Sequence, residues 1–354
     1  MSTTRRANVE GLGLIGGSIA RALGERGWHV SGDDQRPERV EQALARGIIH
    51  ASGLDADAEI TFVATPVLSL PEQVQRALKE TSGLVTDVGS VKGAIVSAID
   101  DPRFVAGHPM AGSELVGLDG ADGSMFEGAV WVLTPSPTTP DSSFAAVAAV
   151  VAELGADVVV LPADRHDQVV AVISHVPHLT AATLMGLASD RAEEHAALLR
   201  LAAGGFRDMT RIASGHPAMW LDICAENRDA ILSALDGLIE GLSRMRDVVD
   251  TDDRDELLRL LGKARDARSN LPVRGTQPEE LAEVRIPIPD RAGSAAEVFT
   301  LAAELGVNIA SFEVVHSVEG NRGVAVVLVD AGVADLYRGG LLARGFRPAV
   351  QRLG

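Results

Sequence analysis

Gly11-Leu12-Gly13-Leu14-Ile15-Gly16 follows a short apolar run, Ala7–Glu10, and opens an amphipathic stretch, Ile15–Arg26. A strand that runs through a glycine-rich turn into a helix is the local signature of a phosphate-wrapping β-α-β unit. In that geometry Gly11 permits the tight turn, Gly13 lets the backbone approach a pyrophosphate, and Gly16 lets the helix pack close to the strand. The helix N-terminus then offers unpaired N–H groups to an anion. A second strand, His29–Gly32, ends about 20 residues on, before Asp33 and Asp34, where a carboxylate accepts the ribose hydroxyls and repels a 2′-phosphate. Dinucleotide binding through Gly11, Gly13, Leu14, Ile15 and Gly16 is therefore expected, with NAD favoured over NADP. Glu10, at a strand position that is usually apolar, and Arg36, a potential partner for a 2′-phosphate, run against that preference.

Outward from the turn, further strands are expected at Ile60–Ala64, Leu84–Asp87, Phe104–Gly107, Val130–Thr134 and Asp157–Leu161. Helices at Pro37–Arg46, Leu70–Lys79 and Phe144–Leu154 alternate with them, as in a Rossmann-type parallel sheet over residues 1–162. Strand signals vanish over 163–270. Val169, Val172, Val176, Leu179 and Leu184 keep helical spacing, and so do Ile223, Ile231, Leu235, Leu238, Leu242 and Met245. These predict an all-α domain, apolar enough either to pack on a second subunit or to close on itself as a bundle. Ser269–Gln277 reads as a linker. The tail, 281–354, follows the order strand (Glu283–Ile288), helix (Ser294–Leu305), strand (Ile309–Ser317), strand (Val324–Asp330), helix (Val333–Ala343), strand (Arg347–Gln351), a ferredoxin-like α+β module.

Composition narrows the partners. The 354 residues carry Lys+Arg 32 against Asp+Glu 49, a net charge of −17. With no basic run and 3% aromatic residues, no nucleic-acid partner is expected. No uninterrupted apolar run approaches the roughly 20 residues of a membrane span, and Met1–Glu10 lacks the apolar segment of a secretory signal. A cytoplasmic protein without a membrane partner is expected. The single cysteine, Cys224, excludes an internal disulfide.

Ligands of open parallel sheets bind beyond the carboxyl ends of the strands. Ser90 and Lys92 follow one such end and His108 another. The helical region carries Ser174, His175 and His178, and its paired glycines, Gly204-Gly205, precede Asp208 and Arg211. Each has a plain structural alternative: Ser90 as a helix N-cap, His108 as a loop histidine, Arg211 and Asp208 as a surface ion pair. His175 and His178 lack a Glu or Cys to complete a metal set, so no metal is expected. Together the residues suit hydride transfer from an alcohol. Histidine supplies a base near neutrality, and guanidinium grips a carboxylate. No arrangement for covalent catalysis is present.

These motifs, in this order, resemble the prephenate/arogenate dehydrogenase family: Gly11–Ser18, Asp87–Lys92, Gly107–Glu114, Ser174–His178 and Asp208–Ala213. The tail resembles an ACT domain, with Pro289-Asp290-Arg291-Ala292-Gly293 at its first turn. The resemblance implies NAD-dependent oxidative decarboxylation of prephenate to 4-hydroxyphenylpyruvate, with arogenate as the alternative substrate. It implies His108 as base, Ser90 orienting it, Arg211 on a substrate carboxylate, and His178 and Ser174 lining the pocket. Glu114 and Asp208 would gate or pair. Of the two acidic residues where the family has one, Asp34 is taken as the ribose ligand. A homodimer and an aromatic amino-acid effector at the tail are also implied. Two other functions remain open at this stage: a β-hydroxyacid dehydrogenase, which needs a lysine on a central helix, and an amino-acid-binding regulator with a vestigial nucleotide domain.

Overall fold

The computed structural model describes residues 4–112, 115–192, 201–215, 217–269, 281–289, 293–316 and 322–352. Strand β1 (Arg6–Glu10) enters the glycine turn and helix α1 (Leu14–Glu25) leaves it. Then come β2 (His29–Asp33), α2 (Pro37–Ala45), β3 (Ala51–Ser52), β4 (Ile60–Val63), α3 (Leu70–Glu80) and β5 (Leu84–Asp87). They form a sheet in the order β3-β2-β1-β4-β5, and every pair in it is parallel. The order reverses between β1 and β4, which sets a crevice at their carboxyl ends. The two-residue β3 is too short to leave a signal in the sequence.

Short helix α4 (Gly93–Ala98) precedes a second sheet, β6 (Ala106–Pro109), β7 (Val130–Thr134) and β8 (Asp157–Val160), with α5 (Asp141–Glu153) between the last two. An isolated parallel bridge, Val85↔Phe104, links the two sheets. Here the expected all-parallel pattern fails, since β6 runs antiparallel to β7. The strand expected at Phe104–Gly107 is also displaced, because a turn closes from Phe104 N–H to Asp101 O at 3.0 Å and delays regular pairing to Ala106. His108 therefore lies inside β6, not beyond it. Trp28, Phe62, Phe126 and Trp131 fill the core between these elements, each at most 2% exposed.

The helical spacing from Val169 to Leu184 belongs not to one helix but to two, α6 (Ala163–Val170) and α7 (Val176–Ala192), joined by a π-helical turn at Ala171–His175. Pro177 accounts for the break: it has no N–H to give to the preceding turn, and its ring crowds the carbonyl there. By length and composition Ala163–Arg191 is apolar enough to cross a membrane, which a count of uninterrupted apolar residues does not reveal. His166, Asp167 and His175 on it are buried. Helices α8 (Gly204–Thr210), α9 (Pro217–Glu226), α10 (Arg228–Asp250) and α11 (Arg254–Ser269) complete the helical region.

The chain falls into two compact units, Met1–Ser243 and Arg244–Gly354. The tail contains β9 (Leu281–Pro289), α12 (Ser294–Leu305), β10 (Ile309–His316), β11 (Arg322–Asp330), α13 (Ala334–Ala343) and β12 (Ala349–Arg352). Its antiparallel sheet has the order β10-β11-β9-β12, the ferredoxin-like arrangement expected. Buried Tyr337 donates its hydroxyl to the Val298 carbonyl at 3.0 Å and ties the two tail helices together.

Candidate active site

The glycine turn fits a pyrophosphate. Gly11 has φ +93, and a Cβ there would lie 2.5 Å from the Ala64 carbonyl oxygen. A Cβ on Gly16 would come within 1.8 Å of the Gly11 carbonyl, so neither position tolerates a side chain. At Gly13 a Cβ meets nothing within 4 Å, which leaves open space where the backbone must approach a phosphate. Gly13 is also the N-cap of α1, with no side-chain cap bond, and Leu14 and Ile15 beside it are half-buried. The residues present therefore suit a dinucleotide.

The acidic pair divides its work. Asp34 accepts the Leu12 N–H at 2.8 Å and the Arg36 N–H at 2.9 Å, which fixes the turn between Gly11 and Gly13. Asp33 turns instead to Arg76, 2.7 Å away.

His108, the third residue of β6, points its Nδ1 at His166 Nε2, 2.8 Å distant. His166 Nδ1 meets Asp167 Oδ1, also at 2.8 Å. The carboxylate of Asp167 accepts the Lys92 N–H at 2.8 Å and the Gly93 N–H at 2.7 Å, and so caps α4 from 75 positions away. Ser90 is thus not the N-cap; that position belongs to Lys92, whose side chain does not cap. Three groups, Asp167, His166 and His108, set the proton order. Asp167 is an acceptor, so His166 donates from Nδ1 and accepts at Nε2. His108 then donates from Nδ1, and its Nε2 carries the lone pair. This is the logic of a carboxylate-oriented imidazole base, lengthened by one ring. Burial draws the His108 pKa well below the ordinary imidazole value, with smaller contributions from His166, Lys92 and His175. The ring is neutral at physiological pH and competent to accept a proton.

Lys92 is buried completely. It pairs with Asp87, equally buried, and donates to the Gly107 carbonyl at 2.8 Å, next to His108. Asp87 also accepts the Gly89 N–H at 2.8 Å and the Gly107 N–H at 3.2 Å. The ends of β5 and β6 are held together through this pair.

On the helical side His175 is buried, and burial lowers its pKa to about 4. Asn227 Nδ2 lies 3.1 Å from its Nδ1 and 2.9 Å from the Asp167 carbonyl. His178 stacks on Trp220 with ring centroids 3.6 Å apart and an interplanar angle of 11°. Among the described residues, buried Trp220 Nε1 has no hydrogen-bond partner. Ser174 is half-buried in the π-helical turn, while Asp208 and Arg211 at the end of α8 are exposed. Glu114 lies outside the described residues. Sequence patterns did not single out His166, Asp167, Trp220 or Asn227 for function. Adjacent His166-Asp167 in a segment of helical period was the one signal that could have found the relay.

The profile "Prephenate dehydrogenase, nucleotide-binding domain" matches residues 19–160, and "Prephenate dehydrogenase, dimerization domain" matches residues 162–263. A prephenate dehydrogenase of Bacillus subtilis (strain 168) is 35% identical over 334 residues, 89% of this chain and 90% of that one. A prephenate dehydrogenase of Aquifex aeolicus, solved with hydroxyphenyl propionate and NAD+, superposes with TM-score 0.71 at 29% identity, covering 76% of this chain and 99% of that one. A Synechocystis arogenate dehydrogenase gives TM-score 0.65 at 31% identity, covering 75% and 99%. With a glycine turn shaped for a dinucleotide and this likeness along nearly its whole length, the chain belongs to the prephenate dehydrogenase family.

Proposed function

We propose that this chain oxidatively decarboxylates prephenate to 4-hydroxyphenylpyruvate with NAD as hydride acceptor. The observation that carries this is the His108–His166–Asp167 chain, which leaves a neutral Nε2 as acceptor on β6, the strand whose Gly107 N–H is held by Asp87 at the end of β5. Gly11, Gly13, Leu14, Ile15 and Gly16 hold the pyrophosphate, and Asp34 faces the adenosine ribose. When bound, NAD supplies the acceptor for hydride from the C4 carbon of the substrate. His108 takes the C4 hydroxyl proton, and Ser90 orients that hydroxyl. The ring carboxylate leaves as CO2, and aromatisation makes the step irreversible. Stoichiometric NADH and CO2 from prephenate test the assignment. Turnover confined to arogenate would replace the substrate and keep the chemistry.

Arg211, Asp208, Ser174 and His178 form the substrate side, with Glu114 as a gating carboxylate. Arg211→Gln is expected to raise the prephenate KM about tenfold or more with kcat largely kept, since a charge-assisted bidentate contact is lost. An unchanged KM would leave Arg211 as a surface residue.

A homodimer would form through the helical region, where Val172, Ile173, Leu221, Ile239 and Leu242 are each 58% exposed or more. The tail would act as an ACT-type sensor of an aromatic amino acid. Gly293, left-handed at φ +92, starts its first helix, and the Asp290–Ala292 part of that turn lies outside the described residues. Tyrosine should inhibit the full chain and not a chain shortened at Asn270. Equal inhibition of both would place the effector in the active site.

A further inference from the structure

Glu10 is buried, yet it occupies the last position of β1, where an apolar residue would serve the core. In the β1–β2 register it stands opposite Asp33. Arg76 reaches in from α3, on the far side of the point where the strand order reverses. Its Nη2 lies 2.7 Å from Glu10 Oε1 and 2.7 Å from Asp33 Oδ2. The three side chains thus meet across the crevice in which sheets of this order take a dinucleotide, at the β2 end that receives the adenosine ribose. The Glu10 side chain is 3% exposed, whereas Arg76 and Asp33 keep 37% and 30%. Among the described residues, Glu10 Oε2 and Arg76 Nε are both buried without hydrogen-bond partners. Burial pushes the Glu10 carboxyl up to about 7, against the pull of Arg76. A carboxylate placed at such cost, with Arg76 as its one hydrogen-bonding side-chain partner among the described residues, has holding that arginine as its evident task.

We propose that Glu10 and Asp33 form a clamp on Arg76 that selects the cofactor. While clamped, the guanidinium is matched by two carboxylates and withheld from a 2′-phosphate. Such a phosphate would then meet the carboxylates of Asp33 and Asp34 instead. Released from Glu10, the guanidinium can swing to a 2′-phosphate as a charge-assisted donor. The clamp rests on the dinucleotide assignment above and adds to it the residue that discriminates NAD from NADP.

The test is a titration of the full chain with NADH and with NADPH, in the absence of prephenate. Glu10→Gln keeps the shape of the side chain and removes a charge that burial already disfavours, so the variant should fold; its thermal midpoint verifies this. NADPH should bind about tenfold tighter than to the wild type, the worth of one charge-assisted hydrogen bond, with NADH within about twofold. Glu10→Gln combined with Arg76→Met should lose that gain. Asp33→Asn, at a more exposed position, supplies a second comparison: its gain for NADPH should likewise vanish with Arg76→Met. NADPH affinity unchanged in both single variants overturns the clamp. So does a gain that survives removal of Arg76, because simple loss of negative charge would then explain it. A wild-type chain that takes neither nucleotide overturns the dinucleotide assignment itself.

Discussion

His108→Asn should lower kcat by about 10²–10⁴-fold while the KM for prephenate changes little, as for loss of a positioned general base. Asparagine keeps a donor toward His166 but offers no titrating lone pair to the substrate. The pH profile gives the sharper check. The base works when neutral, and its pKa is drawn well below the ordinary imidazole value, so kcat/KM should hold until the pH falls below that range. His108→Asn should abolish this acidic limb. His166→Gln should instead move it, because the neutral ring that accepts from His108 Nδ1 is gone. A His108→Asn enzyme with near wild-type turnover would take the residue out of the role. An unmoved limb in His166→Gln would mean that the relay does not act on the base.

Lys92→Met is expected to destabilise the protein by about 3–5 kcal/mol, because it strands Asp87 as an uncompensated buried carboxylate. Both side chains of this pair are 0% exposed, so water cannot take over the lost contact. Lys92→Met with Asp87→Asn should recover much of the loss, since the neutral amide can still accept the Gly89 N–H. Denaturant unfolding of the single and double variants measures both. A single-variant loss below about 1 kcal/mol would show that Asp87 finds another counter-charge. The same pair sets the position of β6 through Gly107, so activity should fall with stability in the single variant and return in the double.

Local chemistry wrote much of this protein directly into its sequence. The turn Gly11–Gly16 was legible because only glycine meets its conformational and steric demands. The tail was legible because its strands alternate on a single apolar face and its helices keep their period. Boundaries fell within a few residues wherever a side chain alone sets them, as at Pro37, the first residue of α2, or Gly306, the left-handed cap of α12. His108, Arg211 and Asp34 were marked by order and spacing.

What tertiary structure alone decided is who meets whom. His108 and His166 are 58 positions apart, Lys92 and Asp167 75, and Glu10 and Arg76 66. No local pattern encodes such pairs, because their energy appears only when packing removes water and each buried polar group must find a partner. The π-helical turn at Ala171–His175 and the antiparallel β6 have the same origin. The apolar spacing ran straight through Pro177, and only packing decided how the break there is absorbed; a four-residue strand likewise takes its direction from its neighbours. The sequence by itself determined the elements and the kind of chemistry. Burial and long-range pairing determined which imidazole is oriented, by what, and which arginine is held away from the cofactor.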